Sequence, residues 1–171
     1  MKRRRLKVVG VAGCLAAAAA IAVTALPAGG TAPQGSAFFA ILDGEHEIPD
    51  ADPDGYGTFS GGFRDVTGTN TSFCWALTVF KIGTPTAAHI HQGGAGTANG
   101  AIKIPLNPAP SAGLSGSSSA CQSVPDTVAN AIKQSVSANA SAAFYVNVHT
   151  SQFGGGAVRG QLFKATATQN K

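Results

Sequence analysis

The sequence predicts an all-β domain, a single antiparallel β-sandwich or barrel with one short helix. Segments rich in β-branched and aromatic residues are short, and glycine or proline interrupts them about every ten residues. One stretch alone places its apolar residues at helical spacing. No internal repeat is evident, so the strands are expected to belong to one layered domain.

Seven strands are predicted, each ending near glycine, proline or a polar turn. Their predicted limits are 36–42, 57–64, 72–80, 85–91, 101–106, 142–150 and 156–164. An acidic loop follows the first strand, and a turn around residues 68–70 separates the second strand from the third. Residues 113–120, rich in glycine and serine, are expected to form a surface loop.

The helix is predicted to begin at Ser123. Ser123 is a suitable N-cap, Pro125 fits the first turn, and Asp126 lies three residues after the cap. Apolar residues then recur at helical spacing, at Val128, Ala129, Ile132 and Val136. The predicted core of the domain therefore combines strand faces with one helical stripe.

Residues 1–32 are predicted to be a secretory signal peptide and linker. A cationic start over residues 2–7 precedes an apolar run from Val8 to Leu26, and small residues follow. Two alternatives remain open: an uncleaved anchor, because the run spans roughly 19 residues, and a lipoprotein signal at Cys14. Export would place the domain, 33–171, in the periplasm, at the cell surface or outside the cell.

The charge of the domain excludes one class of partner. Five of the twelve Lys and Arg residues precede residue 8, which leaves seven against eight Asp and Glu in the domain. Nucleic-acid binding needs a basic surface, so we do not expect it. No membrane span is expected after signal removal. Cys74 and Cys121 are an even pair in an exported domain and predict a disulfide, which would stabilise the fold by up to ~4 kcal/mol.

Four motifs together resemble the CHRD domain, the repeat first named in chordin and found in exported microbial proteins. They are GEHEIP at 44–49, AHIHQG at 88–93 with Asn99-Gly100, FYVNVHT at 144–150 and GAVRGQL at 156–162. The resemblance covers residues 36–164 and implies an immunoglobulin-like or superoxide-dismutase-like β-sandwich. Chordin is an extracellular growth-factor antagonist, but its cysteine-rich modules are absent here, so that role is not transferred. Stand-alone microbial members have no agreed activity.

Alternation within two of these motifs groups their polar residues. In residues 88–91, His89 and His91 share the face opposite the apolar side chains. In residues 144–149, one face is apolar, and the other consists of Tyr145, Asn147 and His149. If the apolar sets face the core, all three histidines are expected to project from outer faces of the sheet.

This arrangement predicts a candidate metal site. His89 and His91 would lie about 6–7 Å apart at Cα and could share one ion, and His149 would join them if its strand is a neighbour. Three neutral imidazoles with an open position suit copper or zinc. Tyr145, Asn147 and Arg159 would orient the rings, screen the ion or attract an anion. The alternative is structural: the histidines brace loops through hydrogen bonds.

Two other polar residues have simpler interpretations. His46 lies between Glu45 and Glu47 and is expected to be solvated, although these carboxylates could hold a divalent ion if more oxygens converged. Arg159 is interpreted first as a cross-strand hydrogen-bond donor.

The expected function is a non-enzymatic binding module with an extracellular protein or polysaccharide as partner. A nucleophile elbow, a phosphate-binding loop and a Cys–His pair outside the presumed disulfide are all missing. One alternative is a structural or adhesive surface module without metal. Another is a copper-dependent enzyme similar to superoxide dismutase, although the chain lacks the histidines for a bridged copper–zinc centre.

Overall fold

The structure is a computed structural model that describes residues 37–64, 70–97, 99–113, 115–138 and 143–165. The predicted signal peptide and linker and most of the predicted 68–70 turn lie outside the described residues. Among the described residues, no helix has both the length and the apolar character needed to cross a membrane.

The described residues form nine strands and one helix, so the all-β prediction is confirmed. The strands are β1 (Ala37–Asp43), β2 (Tyr56–Arg64), β3 (Asn70–Phe80), β4 (Pro85–Gln92), β5 (Ala101–Pro105), β6 (Ser115–Pro125), β7 (Phe144–Thr150), β8 (Val158–Gln161) and β9 (Phe163–Lys164). The helix α1 (Asp126–Ser137) connects β6 to β7.

All strands belong to one antiparallel sheet. Its order is β5-β4-β7-β8-β1-β2-β3-β6, and β9 pairs with β1. The two end strands approach each other, because Gln122 Nε2 on β6 donates to the Pro105 carbonyl on β5 at 2.9 Å. The sheet therefore curves until it is nearly closed, and its concave face encloses the core.

The core consists of the inward side chains of the strands together with one face of α1. Phe38, Phe59, Phe63 and Phe73 form an aromatic cluster with centroid separations between 5.1 and 6.1 Å. Each is at most 2% exposed, and burial of such a side chain contributes about 1.5–3 kcal/mol. The predicted helical stripe is present, since Ala129, Ile132 and Val136 are buried.

Two predictions around residue 120 were wrong. The surface loop predicted at 113–120 is mostly strand, since β6 (Ser115–Pro125) pairs with β3 along its whole length. Glycine and serine have low strand propensity, yet backbone pairing to β3 outweighs it. Ser123 and Pro125 consequently belong to β6, and the helix begins at Asp126, whose Oδ1 accepts a 2.7 Å hydrogen bond from Thr71 Oγ1.

The predicted disulfide is present between Cys74 and Cys121. The two residues are directly opposite in the β3–β6 register, with their Cα atoms 4.0 Å apart. It links the end strand β6 to the rest of the sheet.

Candidate metal site

The three histidines converge on one face of two adjacent strands. His89 and His91 lie on β4 and His149 on β7, which pairs with β4. One ring nitrogen from each residue lies within 4.8 Å of the other two. The sequence predicted that His149 would join the pair only if its strand was a neighbour, and the register meets that condition.

Backbone carbonyls orient two of the rings. His91 Nδ1 is 2.8 Å from the Gly100 carbonyl oxygen, and His149 Nδ1 is 3.0 Å from the Gly154 carbonyl oxygen. A carbonyl oxygen only accepts, so each Nδ1 carries the proton and donates it. Each Nε2 therefore offers a lone pair, and a hydrogen bond from the opposite nitrogen is the usual way in which proteins position a metal-binding imidazole.

His89 completes the group. Its Nδ1 lies 3.1 Å from His149 Nε2, and its ring centroid is 5.5 Å from that of His91. A tetrahedral ion with nitrogen ligands at 2.0–2.1 Å has ligands about 3.3 Å apart. The separation of these two nitrogens is close to that spacing, so one small ion fits between them with little movement of the rings.

The environment favours the neutral form of His89 and His91 by lowering the pKa of each ring. Burial, followed by the neighbouring His149 and His91, lowers the pKa of His89 to about 4. Burial also lowers the pKa of His91, and the Gly100 carbonyl opposes that shift only in part. A neutral imidazole is the form that binds metal, so little proton competition is expected at neutral pH.

The histidines lie on the face of the sheet opposite the core, as expected, but this face is largely buried. Tyr145 and Asn147 are each 1% exposed, Arg159 is fully buried, and His91 is 8% exposed. Three loops cover the face: the β1–β2 loop (44–55), the β4–β5 loop (93–97 and 99–100) and the β7–β8 loop (151–157). Alternation grouped the polar residues correctly but carries no information about what covers them.

A buried ion pair lies on the same face of the sheet, next to the cluster. Arg159 Nε donates to Glu47 Oε2 at 2.6 Å, and both side chains are 1% exposed. Arg159 Nη2 also donates to Asn99 Oδ1 at 2.5 Å, and Asn99 Nδ2 donates to the Ile48 carbonyl at 3.1 Å. Arg159 therefore ties two covering loops to the sheet and is engaged with Glu47, whereas the sequence suggested a cross-strand donor or an anion site.

Tyr145 connects this ion pair to the histidines. Its ring stacks on His91 with centroids 4.9 Å apart and planes 6° apart, and the Arg159 guanidinium lies 4.6 Å from the centre of the same ring. Tyr145 Oη accepts a 2.9 Å hydrogen bond from the Gly100 backbone amide. The His91 ring is consequently fixed by stacking on one face and by Gly100 at its edge.

Asn147 lies between the histidines and the ion pair. It is opposite His89 on β4 and opposite Arg159 on β8, and its Nδ2 donates to Glu47 Oε1 at 2.7 Å. A β-carbon at Gly156 would lie 2.2 Å from Asn147 Nδ2 and 2.3 Å from Glu47 Oε1. Gly156 has φ of +141°, so both space and backbone conformation require glycine there.

Four residues that position the candidate site were not identified as such from the sequence. Glu47, Asn99, Gly100 and Gly154 position the site through the contacts above. The sequence offered Glu47 only as a ligand of a divalent ion in the acidic loop and assigned the other three no role. Glu47, Asn99 and Gly100 do lie within the motifs of the family resemblance, which was the only signal available. The acidic-loop alternative has no support: Glu47 pairs with Arg159, and within the described ranges only the three histidines form a group suited to a metal ion.

His46 lies apart from the cluster. Its Nδ1 is 2.6 Å from Asp43 Oδ1, and its side chain is 55% exposed, as expected for a solvated residue.

The comparisons with known proteins point to one family. The sequence model described as the CHRD domain matches residues 38–162, which includes all three histidines and the ion pair. No curated protein and no solved structure matches the chain.

Proposed function

The chain belongs to the CHRD domain family, and we propose that it is an exported binding module that holds one copper or zinc ion through His89, His91 and His149. The observation that carries the proposal is the convergence of three imidazole nitrogens within 4.8 Å. Two of the rings are held by backbone carbonyls in the orientation that directs a lone pair inward. Nitrogen ligands of this kind suit copper and zinc, not magnesium or calcium.

The disulfide supports export, and the position of the fourth histidine supports a site for a single ion. The Cys74–Cys121 disulfide is typical of an oxidising compartment outside the cytoplasm. The chain has four histidines, and the fourth, His46, pairs with Asp43 away from the cluster. That leaves ligands for a single ion and favours binding over the bridged two-metal chemistry of a copper–zinc dismutase.

The second candidate is a structural or adhesive module. The hydrogen bonds from His91 to Gly100 and from His149 to Gly154 are also what loop bracing requires. Under this alternative the physiological partner is an extracellular protein or polysaccharide, and the histidines contribute stability alone.

Elemental analysis distinguishes the two candidates. The purified exported protein is loaded with copper or zinc, desalted and compared with the His89→Ala/His91→Ala double variant and with His46→Ala as the matched control. We expect about one ion per chain in the wild type and in the control, and none in the double variant. Metal-free wild type would reject metal binding, and a lower melting temperature in the double variant would then favour loop bracing.

A further inference from the structure

Two buried atoms at the centre of the candidate site lack a hydrogen-bond partner. They are His91 Nε2 and Asn147 Oδ1, on residues that are 8% and 1% exposed. An unpaired polar atom in such a position is costly, and a native structure normally supplies a partner from the protein, water or a ligand. The two residues lie on the same face of the adjacent strands β4 and β7, with Asn147 directly opposite His89.

The hydrogen bond to Glu47 fixes the orientation of the Asn147 amide. Glu47 is paired with Arg159, so its carboxylate accepts hydrogen bonds, and Asn147 must present its NH₂ group to it. Oδ1 is therefore directed away from Glu47, toward the histidines. Gly156 permits this arrangement, because a β-carbon there would overlap Asn147 Nδ2 and Glu47 Oε1.

The two nitrogens of the His91 ring differ, since only Nε2 lacks a partner. Nδ1 is already directed at Gly100. Nε2 is therefore the ring nitrogen that remains for a ligand, and Asn147 lies on the same face of the neighbouring strand β7.

Both unpaired atoms are hydrogen-bond acceptors in the neutral site. With Nδ1 protonated, His91 Nε2 carries a lone pair and can only accept a hydrogen bond. Asn147 Oδ1, an amide oxygen, is likewise only an acceptor. An ion bound to the three histidines would satisfy Nε2 and leave Oδ1 unpaired. A ligand of that ion would satisfy Oδ1 only if it carried a proton.

We propose that the fourth position of the bound ion is occupied by a small ligand that carries a proton, water or hydroxide in the resting protein, and that Asn147 Oδ1 accepts its hydrogen bond. This inference rests on the proposed function and names the ligand class of the same site. Asn147 is a positioning residue held by Glu47 and Arg159. It disfavours aprotic anions such as azide, because their lone pairs would face the lone pairs of Oδ1.

Azide binding to the Co²⁺-loaded protein tests this selectivity. Wild type, Asn147→Ala and the exposed-helix control Asn130→Ala are loaded, and azide is titrated while the visible absorption of the ion is recorded. We expect Asn147→Ala to retain the ion and bind azide on the order of tenfold more tightly, with Asn130→Ala unchanged. Equal azide affinity in all three would overturn the inference. A large loss of Co²⁺ affinity in Asn147→Ala would also overturn it, because Oδ1 would then be a ligand itself.

A second measurement uses the wild type alone. It tests whether the fourth ligand carries a proton even if Asn147→Ala does not fold. Electron–nuclear double resonance of the Cu²⁺-loaded protein, in H₂O and in D₂O, is expected to show a strongly coupled exchangeable proton of water or hydroxide bound directly to the ion, distinct from the weakly coupled N–H protons of the imidazole ligands. Absence of that proton would overturn the inference while leaving metal binding intact. Failure of the wild type to bind any ion would instead reject the proposed function itself.

Discussion

The β3–β6 pair and the β4–β7 pair are both antiparallel, and each turns one face to the core. On β3–β6 the opposite face carries exposed or half-buried residues such as Thr78 and Ser117, together with the Cys74–Cys121 disulfide. On β4–β7 the opposite face lies under three loops, and Asn147 is 1% exposed. The same alternating pattern therefore produces a solvated surface in one region and a buried polar layer in the other.

The difference has an energetic consequence. Polar groups on the β3–β6 face exchange freely with water, so single changes there cost little. In the layer under the loops, each buried group depends on a specific partner, and removal of one partner leaves the other unpaired in a region of low dielectric constant. The two regions are accordingly expected to respond very differently to the same kind of substitution.

The largest effect is expected at the buried ion pair. Arg159→Ala leaves the Glu47 carboxylate without its guanidinium in a buried position, which should reduce the free energy of unfolding by about 3–5 kcal/mol. Ser117→Ala on the exposed face of β6 is the control and should stay within about 0.5 kcal/mol of wild type. Denaturant titration measures both. Similar small losses in the two variants would contradict the contrast between the regions.

A smaller effect is expected at the disulfide. Cys74→Ala/Cys121→Ala removes a cross-link between residues 47 positions apart and should lower stability by about 2–4 kcal/mol. Because the disulfide joins β3 to β6 and not the histidine strands, the metal affinity of the folded variant should equal that of wild type. Isothermal titration at a temperature well below the melting point measures this affinity, and a large loss would show that the two regions are coupled.

The smallest effect concerns acid stability of the metal-free protein. The pKa of His89 is lowered to about 4 in the folded state, against 6.5 for an unperturbed ring, so the unfolded chain takes up this proton first. Stability attributable to neutral His89 is complete above about pH 6.5 and is lost as the pH falls toward 4. His89→Gln should therefore show a smaller drop in melting temperature between about pH 7 and pH 5. An equal drop in both proteins would contradict a buried neutral His89.

Local sequence pattern was sufficient for much of this fold. Alternation placed most strands and grouped His89 with His91 and Asn147 with His149, because strand geometry alone decides which side chains share a face. It failed for residues 115–125, where pairing to β3 imposes a strand on a sequence of low propensity.

The buried polar layer depends on contacts between residues far apart in the sequence, which the local pattern does not predict. Glu47 reaches Arg159 across 112 positions, and Asn99 reaches it across 60. No local periodicity encodes such contacts, so the burial of the polar layer and the roles of these two residues were beyond prediction from alternation. The convergence of His149 with His89 depended in the same way on the pairing of β7 with β4.

The central claim is that three imidazoles from two strands hold one ion. X-ray absorption spectroscopy of the zinc- or copper-loaded protein tests it most directly. The account predicts a scattering shell that fits three imidazole nitrogens at about 2.0 Å and loses one nitrogen in His149→Ala. A shell with fewer imidazoles, or one unchanged in His149→Ala, would contradict the claim that β7 completes the site.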